Sequence, residues 1–223
     1  IIGGADVNAQ TTGDWTPLRY AVREGHGQIV ALLLHHGAAL NARDTGGNTP
    51  LDVAIWSRHP DLAERLIAEG ADVKVEDRHG ETPLHEAANA GYDDIVKLLI
   101  TRGADVKAAN AWNGTPLNCA ASGGHLQVAR LLVEAGADVH AKCIGHKTPL
   151  HYAVESGHAD VAEFLVAKGA SLEERNDAGD TPLHVAASRG WEEVAELLVT
   201  QGAAIESLTS DDQTALHLAA KEG

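Results

Sequence analysis

Asp77-Arg78-His79-Gly80-Glu81-Thr82-Pro83-Leu84-His85-Glu86-Ala87-Ala88-Asn89-Ala90-Gly91 is the stretch on which the reading of this chain turns. Thr82 is a good helix N-cap. Pro83 fits the first helical residue, where a missing N–H leaves no bond unmade. Leu84 with the small Ala87 and Ala88 predicts a short helix with a flat apolar face, and Gly91 suits the tight turn after it. Ile95, Val96, Leu98, Leu99 and Ile100 then recur at helical spacing and predict a second helix, which Gly103 closes as a left-handed cap. Neither helix is long enough to be stable alone, so each must pack on neighbours.

The same stretch recurs along the chain. Thr-Pro-Leu begins at Thr16, Thr49, Thr82, Thr115, Thr148 and Thr181, and Thr-Ala-Leu begins at Thr214, a constant step of 33 residues. Gly4, Gly37, Gly70, Gly103, Gly136, Gly169 and Gly202, each followed by Ala, keep the same beat. This predicts six full units, 11–43, 44–76, 77–109, 110–142, 143–175 and 176–208, with part of a unit at 1–10 and another at 209–223, all in one array. Position four of the units is occupied by Asp14, Gly47, Gly80, Asn113, His146, Gly179 and Asp212. Those residue types best tolerate positive φ, so a turn belongs there.

These residues resemble the ankyrin repeat family, whose signature includes Thr-Pro-Leu-His-x-Ala at this period. The resemblance covers the whole chain and implies an all-α solenoid of stacked helix-turn-helix units joined by β-turn or hairpin loops. Arg19, Asp52 and Asn118 depart from it, standing where the family usually has His. Arg58 replaces the Gly between helices, and Arg65 takes a normally apolar place. Unit 44–76 is therefore expected to be the most strained.

Composition narrows the function classes. There are 17 Lys and Arg against 32 Asp and Glu, a net charge of -15, which argues against nucleic acid or an anionic membrane as partner. The longest apolar run, Ile29 to Leu34, is too short to span a bilayer. Cys119 and Cys143 cannot make a disulfide framework or a four-ligand zinc site. Cys119 is expected to face inward as a small apolar residue, and Cys143 to start a turn. The opening Ile1-Ile2-Gly3-Gly4 resembles the mature start of a trypsin-type protease, yet no Gly-Asp-Ser-Gly-Gly follows to supply a nucleophile. It lacks the basic start and apolar stretch of a signal peptide, so a cytoplasmic or nuclear location is expected.

Catalytic and metal readings find little support. Eight of the histidines fall at two repeat positions, His85, His151, His184 and His217 at nine and His26, His59, His125 and His158 at sixteen. Such placement matches structural histidines bonded to turn backbone. His85-Glu86-Ala87-Ala88-Asn89 misses the zinc-protease pattern at its last residue, and His35 and His36 are expected to point apart on their helix. No phosphate-binding glycine loop occurs, and Asn113-Gly114-Thr115 is read as an accidental glycosylation sequon. No enzyme activity, metal or cofactor is expected.

What remains is surface. In the family the turn tips (positions two, three and five) and the end of the first helix (thirteen and fourteen) form a concave face that commonly binds proteins. The resemblance places Trp15, Arg23, Trp56, Arg78, His79, Asn89, Trp112, Ser122, Lys147 and Glu155 on that face as candidate partner-binding residues. Trp and Arg are the types most enriched in binding hot spots. Between Trp56 and Trp112 the floor reads as small and nearly uncharged, Ser57, Asn89, Ala90, Ser122 and Gly123, which suggests a groove for a helix or extended segment. Each Trp can equally fold back over its own turn, and Trp191, at a position where His stands elsewhere, reads as structural. Unit 11–43 sums to about +1 and unit 176–208 to about -5, enough to orient a partner.

The expected function is thus binding of a protein or peptide, with exposed apolar ends open to weak self-association. Alternatives are a regulatory or substrate-recruiting segment of a larger enzyme, effector or channel, and an engineered binder, against which the framework departures speak. The absence of Met, a start inside one unit and an end inside another carry the expectation of a longer parent.

Overall fold

The structure is a computed structural model that describes residues 4–222; Ile1, Ile2, Gly3 and Gly223, and with them the start of the protease-like stretch, lie outside the described residues. Thirteen helices and no strands occur among the described residues. They are α1 (Pro17–Arg23), α2 (Gly27–His35), α3 (Pro50–Trp56), α4 (Pro60–Ala68), α5 (Pro83–Ala90), α6 (Asp93–Thr101), α7 (Pro116–Gly123), α8 (Leu126–Glu134), α9 (Pro149–Glu155), α10 (Ala159–Ala167), α11 (Pro182–Arg189), α12 (Glu192–Thr200) and α13 (Ala215–Glu222). The architecture is an all-α repeat solenoid of helix-turn-helix pairs.

Local chemistry sets each boundary. The odd-numbered helices α1 to α11 all begin at the proline that follows a threonine N-cap. Position four is left-handed in every unit, and four of its non-glycine occupants, Asp14, Asn113, His146 and Asp212, hold φ of 60, 56, 54 and 56°. Between the helices, Gly124 turns at φ +72°, and a Cβ there would come within 2.6 Å of the His158 ring, so only glycine fits. Arg58 is forced to φ 60° at the equivalent place, which gives unit 44–76 the strain expected of it.

The chain forms two compact units, 1–111 and 112–223. In the first, α1 packs on α2 and α3, α3 on α4 and α5, and α6 on α4 and α5. In the second, α7 packs on α8 and α9, α9 on α10 and α11, and α11 on α12 and α13. The leucine at position eight lies under these contacts; Leu18, Leu51, Leu84, Leu117 and Leu150 are fully buried. Ala87 and Ala88 in the first unit and Ala120, Ala121 and Ala186 in the second are also wholly enclosed, so adjacent first helices approach closely.

Position nine holds each threonine turn to its neighbour. Nδ1 of His151 accepts the Thr148 N–H at 3.2 Å and the Thr148 hydroxyl at 2.9 Å, so the ring proton sits on Nε2, which donates to the Asp180 carbonyl at 3.3 Å. Burial holds the His151 pKa below its ordinary value and keeps it in this neutral form. The departures keep half of this pattern each. Arg19 donates outward to the Asn48 carbonyl at 2.8 Å and accepts nothing. Asp52 accepts from the Thr49 N–H and hydroxyl at 2.7 and 2.8 Å but has nothing to donate. Asn118 accepts from Thr115 at 2.9 and 2.8 Å, while its buried Nδ2 finds no acceptor. Asn118→His is therefore expected to stabilise the second unit by about 1 kcal/mol, by supplying a donor that reaches the next turn. The check is the urea midpoint, and an unchanged or lower midpoint counts against this account of the orphaned amide.

Candidate functional site

The turn tips are tied together by backbone. The N–H at position two of one repeat donates to the carbonyl at position three of the repeat before it. In the first unit Arg78 bonds Gly46 at 2.9 Å and Ala111 bonds His79 at 2.7 Å; in the second, Ile144 bonds Trp112 at 2.8 Å and Asp177 bonds Gly145 at 2.9 Å. Asp77 also receives the N–H of His79 at 2.7 Å and of Glu81 at 2.8 Å, which closes its turn. Side chains carried by these tips sit on backbone that is already ordered.

In the first unit the predicted residues separate into two groups. Trp15 is half-buried and serves as a stacking plate: Tyr20 lies 5.0 Å from it, and the guanidinium groups of Arg19 and Arg23 lie over its ring at 4.6 and 4.9 Å. Arg23 is also held by Glu24 at 2.8 Å. Trp56 is 44% exposed, yet its ring centre lies 5.8 Å from the Arg19 guanidinium. The second group, Arg78, His79 and Asn89, is exposed at the tips and on the end of α5.

At the centre of the first group is Arg19, which the sequence reading placed only as a departure from His. It is 1% exposed. Its Nη2 lies 2.7 Å from the Asp44 carboxylate in an ion pair outside hydrogen-bond geometry, so Nη2 and Nε have no acceptor. Burial lowers the Arg19 pKa against the pull of Asp44 and Asp52. Beside it, burial drives the Asp52 carboxyl up to about 6, and the Thr49 bonds and the Arg19 charge only partly offset this. Glu86 on α5 is pushed up to about 7, first by burial and then by the charges of Glu81, Asp52 and Asp77. A carboxyl so placed favours a proton or a cation. Asp77 and Glu81 stand on its own turn, but the burial that comes first and the charge of Asp52 from the repeat before arise only in the packed chain.

In the second unit Trp112 is half exposed at a turn tip and Ser122 is exposed at the end of α7. Lys147 and Glu155 do not stand free. Nζ of Lys147 bonds Glu155 at 2.6 Å, and Arg189 from the next repeat bonds the other oxygen at 2.8 Å. Burial raises the Glu155 carboxyl, but these two cations outweigh it and hold the pKa below the ordinary value.

The remaining singled-out residues are structural. Nε2 of His59 reaches the Arg23 carbonyl at 3.2 Å and that of His158 the Ser122 carbonyl at 3.1 Å. Trp191 uses its indole N–H in the same way, on the Glu155 carbonyl at 3.2 Å. Two expectations are corrected. The rings of His35 and His36 do not point apart but meet edge-on at 5.2 Å, because His36 lies past the last helical residue. Cys119 is only half-buried rather than inward, while Cys143 starts its turn as expected, accepting the His146 N–H at 3.0 Å; its buried thiol contacts the Tyr152 hydroxyl at 3.0 Å, and burial with this bond raises the Tyr152 pKa. No group of His, Cys, Asp and Glu suited to a metal occurs among the described residues. No helix among them is long and apolar enough to cross a membrane.

Stacked pairs capped by Thr-Pro and joined by left-handed turns define a class, the α-helical repeat proteins. The chain belongs to the ankyrin repeat family: a family model of ankyrin repeats (3 copies) matches residues 1–77, 59–110, 84–176 and 170–223. No curated protein matches the chain significantly. Ankyrin repeats are generally protein–protein interaction modules and typically non-catalytic.

Proposed function

We propose that this chain binds a protein or peptide on the face made by its turn tips and the ends of its first helices, by rigid presentation of a formed surface. The observation that carries the reading is the exposure of Trp56 and Trp112, 44 and 50%, Trp56 as the last residue of α3 and Trp112 on a turn tip whose carbonyl accepts the Ile144 N–H of the next repeat. A large ring held in water on ordered backbone gains free energy when a partner covers it, and little ordering cost opposes docking. In the first unit Trp56, Arg78, His79 and Asn89 form the patch, and Trp15 and Arg23 buttress Trp56 through Arg19. In the second, Trp112 and Ser122 offer the contact, while Lys147 and Glu155 form a polar rim. The negative net charge favours a polypeptide over nucleic acid or an anionic membrane, and the site of action is the cytoplasm or nucleus.

The test is affinity capture with the whole chain, comparing wild type with Trp56→Ala and Trp112→Ala made singly. Each variant is first matched to wild type by its melting curve. Binding to a retained protein is expected to weaken by about 10-fold or more for at least one variant, the size of a hot-spot loss. Equal retention by both variants would mean that these rings are packing residues and that the reading fails.

A further inference from the structure

The face proposed for partner binding in the first unit carries a carboxylate that the chain leaves unmatched. Glu86 stands at position ten, in the first turn of α5, and is half-buried. Side chains at position ten lean towards the turn tip of their own repeat. The Tyr20 ring lies 5.0 Å from that of Trp15 at position five, and Nζ of Lys147 at position five lies 5.7 Å from the Tyr152 ring. Position five below Glu86 is a second acid, Glu81. No hydrogen bond or ion pair holds the Glu86 carboxylate among the described residues, and the charges that act on it, those of Glu81, Asp52 and Asp77, are all negative. Arg78, exposed on the tip, does not offset them. Glu81 is held by the Asn110 amide at 2.6 Å and Asp77 by backbone N–H groups of its turn, all uncharged donors. The second unit treats the carboxylate of its own face in the opposite way, for Glu155 is bonded by both Lys147 and Arg189.

We infer that the partner of this face in the first unit is a basic polypeptide segment, whose Lys or Arg pairs with the Glu86 carboxylate while the residues beside it cover the Trp56 ring. The inference rests on the reading of Trp56 and its neighbours as a docking face and names what that face selects. Charge complementarity decides the occupant. A cation brought to Glu86 breaks no existing bond, because none is made, and the field of the surrounding acids adds to the attraction. An acidic segment would meet the same field as repulsion. An apolar one would bury Glu86 further without a partner, which costs more than the contact returns. The surroundings suit a long basic side chain as well. α5 packs on α3, which ends at the exposed Trp56, and Asn89 and Ala90 at the end of α5 are exposed and uncharged, so the stem of a Lys or Arg has apolar and neutral surface to lie on. Glu86 is then the residue that sets specificity, and Trp56 the one that supplies contact area.

Random peptides of about 12 residues displayed on phage test this. The library is first depleted on the Trp56→Ala chain and then selected on the whole wild-type chain, so that what remains needs the Trp56 face. The peptides that emerge are titrated by fluorescence anisotropy at pH 8, where Glu86 is ionised, and about 0.15 M salt. They are expected to share a Lys or Arg, and Glu86→Gln is expected to weaken them about 10-fold or more. Glu64→Gln removes the same charge from an exposed site on α4 and is expected to change affinity by less than about 2-fold, which separates a local pair from the net charge of the chain. Replacing the shared Lys by norleucine, or Arg by citrulline, is expected to cost about 10-fold on the wild type and almost nothing on Glu86→Gln, since the pair is then already broken. Melting curves confirm that each variant is folded. Peptides with no shared cation, equal losses for Glu86→Gln and Glu64→Gln, or a norleucine or citrulline loss that persists on Glu86→Gln overturn the basic-segment inference and leave the docking face standing. Failure of any peptide to enrich overturns both.

Discussion

Arg19→Ala is expected to destabilise the first unit by about 3 to 5 kcal/mol, more than any other substitution of a polar residue in that unit. Four interactions end at once. The ion pair with Asp44 at 2.7 Å is lost, the Asn48 carbonyl loses its donor at 2.8 Å, and the rings of Trp15 and Trp56 each lose the cation over them. Asp52, nine-tenths buried, also loses the cation that offsets part of its burial. A carboxylate left without its cation inside protein accounts for most of the loss, and each cation–π contact adds about 0.5 to 2 kcal/mol. Arg19→Met separates charge from volume. It fills most of the space but cannot answer Asp44, so it is expected to recover only part of the loss. Joined to Asp44→Asn, it should recover most of the remainder, since Nε and Nη2 already lack hydrogen-bond acceptors. Urea unfolding followed by tryptophan fluorescence and circular dichroism reads these effects. A loss below about 1 kcal/mol for Arg19→Ala would mean that the pair contributes no more than one on the surface.

How far this could be read from sequence depends on how far apart in the chain the interacting residues lie. The helix starts at Pro17, Pro50, Pro83, Pro116, Pro149 and Pro182 were legible because cap, proline and turn are local. Position four was legible for the same reason, as φ belongs to one residue. Trp191 could be assigned a structural place from its register with His59 and His158, and its indole bond has the same target position as theirs. Contacts between repeats were not legible. The Arg189–Glu155 and Arg19–Asp44 pairs join residues from successive repeats, and no spacing rule within one repeat predicts which rotamers meet. The family's register placed Trp15, Arg23 and Trp56 among binding residues, and the contact of both rings with Arg19, with Arg23 over Trp15, emerges only from the packed helices. Glu86 escaped notice because its state is set first by burial, to which Asp52 of the repeat before adds its charge beside Glu81 and Asp77 of its own turn.

That state makes Glu86→Gln the substitution with the clearest dependence on pH. The folded pKa of Glu86 is raised from 4.5 to about 7, so the folded chain holds this proton more tightly than the unfolded one. For a raised carboxylate the favourable contribution is complete below the unfolded value and is lost as pH rises through the folded value. The window is therefore 4.5 to about 7, and at pH 8 the ionised group opposes folding by its full amount. Because Glu86 is only part-buried, solvent screening reduces that amount to about 1 to 2 kcal/mol. Glutamine keeps the shape without the charge. Glu86→Gln is accordingly expected to raise the melting temperature at pH 8 by a few degrees, with the gain shrinking steadily as pH falls towards 4.5. Asp52 has the same sign over 3.8 to about 6, so the gain in stability expected of the wild type between pH 8 and 6 comes from Glu86, and Asp52 adds to it below about 6. His151 runs the other way below its ordinary value of 6.5, since its folded form resists protonation. The difference between wild type and Glu86→Gln cancels the His151 contribution and reads Glu86 together with its charge coupling to Asp52. A gain that stays constant from pH 8 to pH 5 would place the ionisation of Glu86 outside this window and remove the electrostatic explanation.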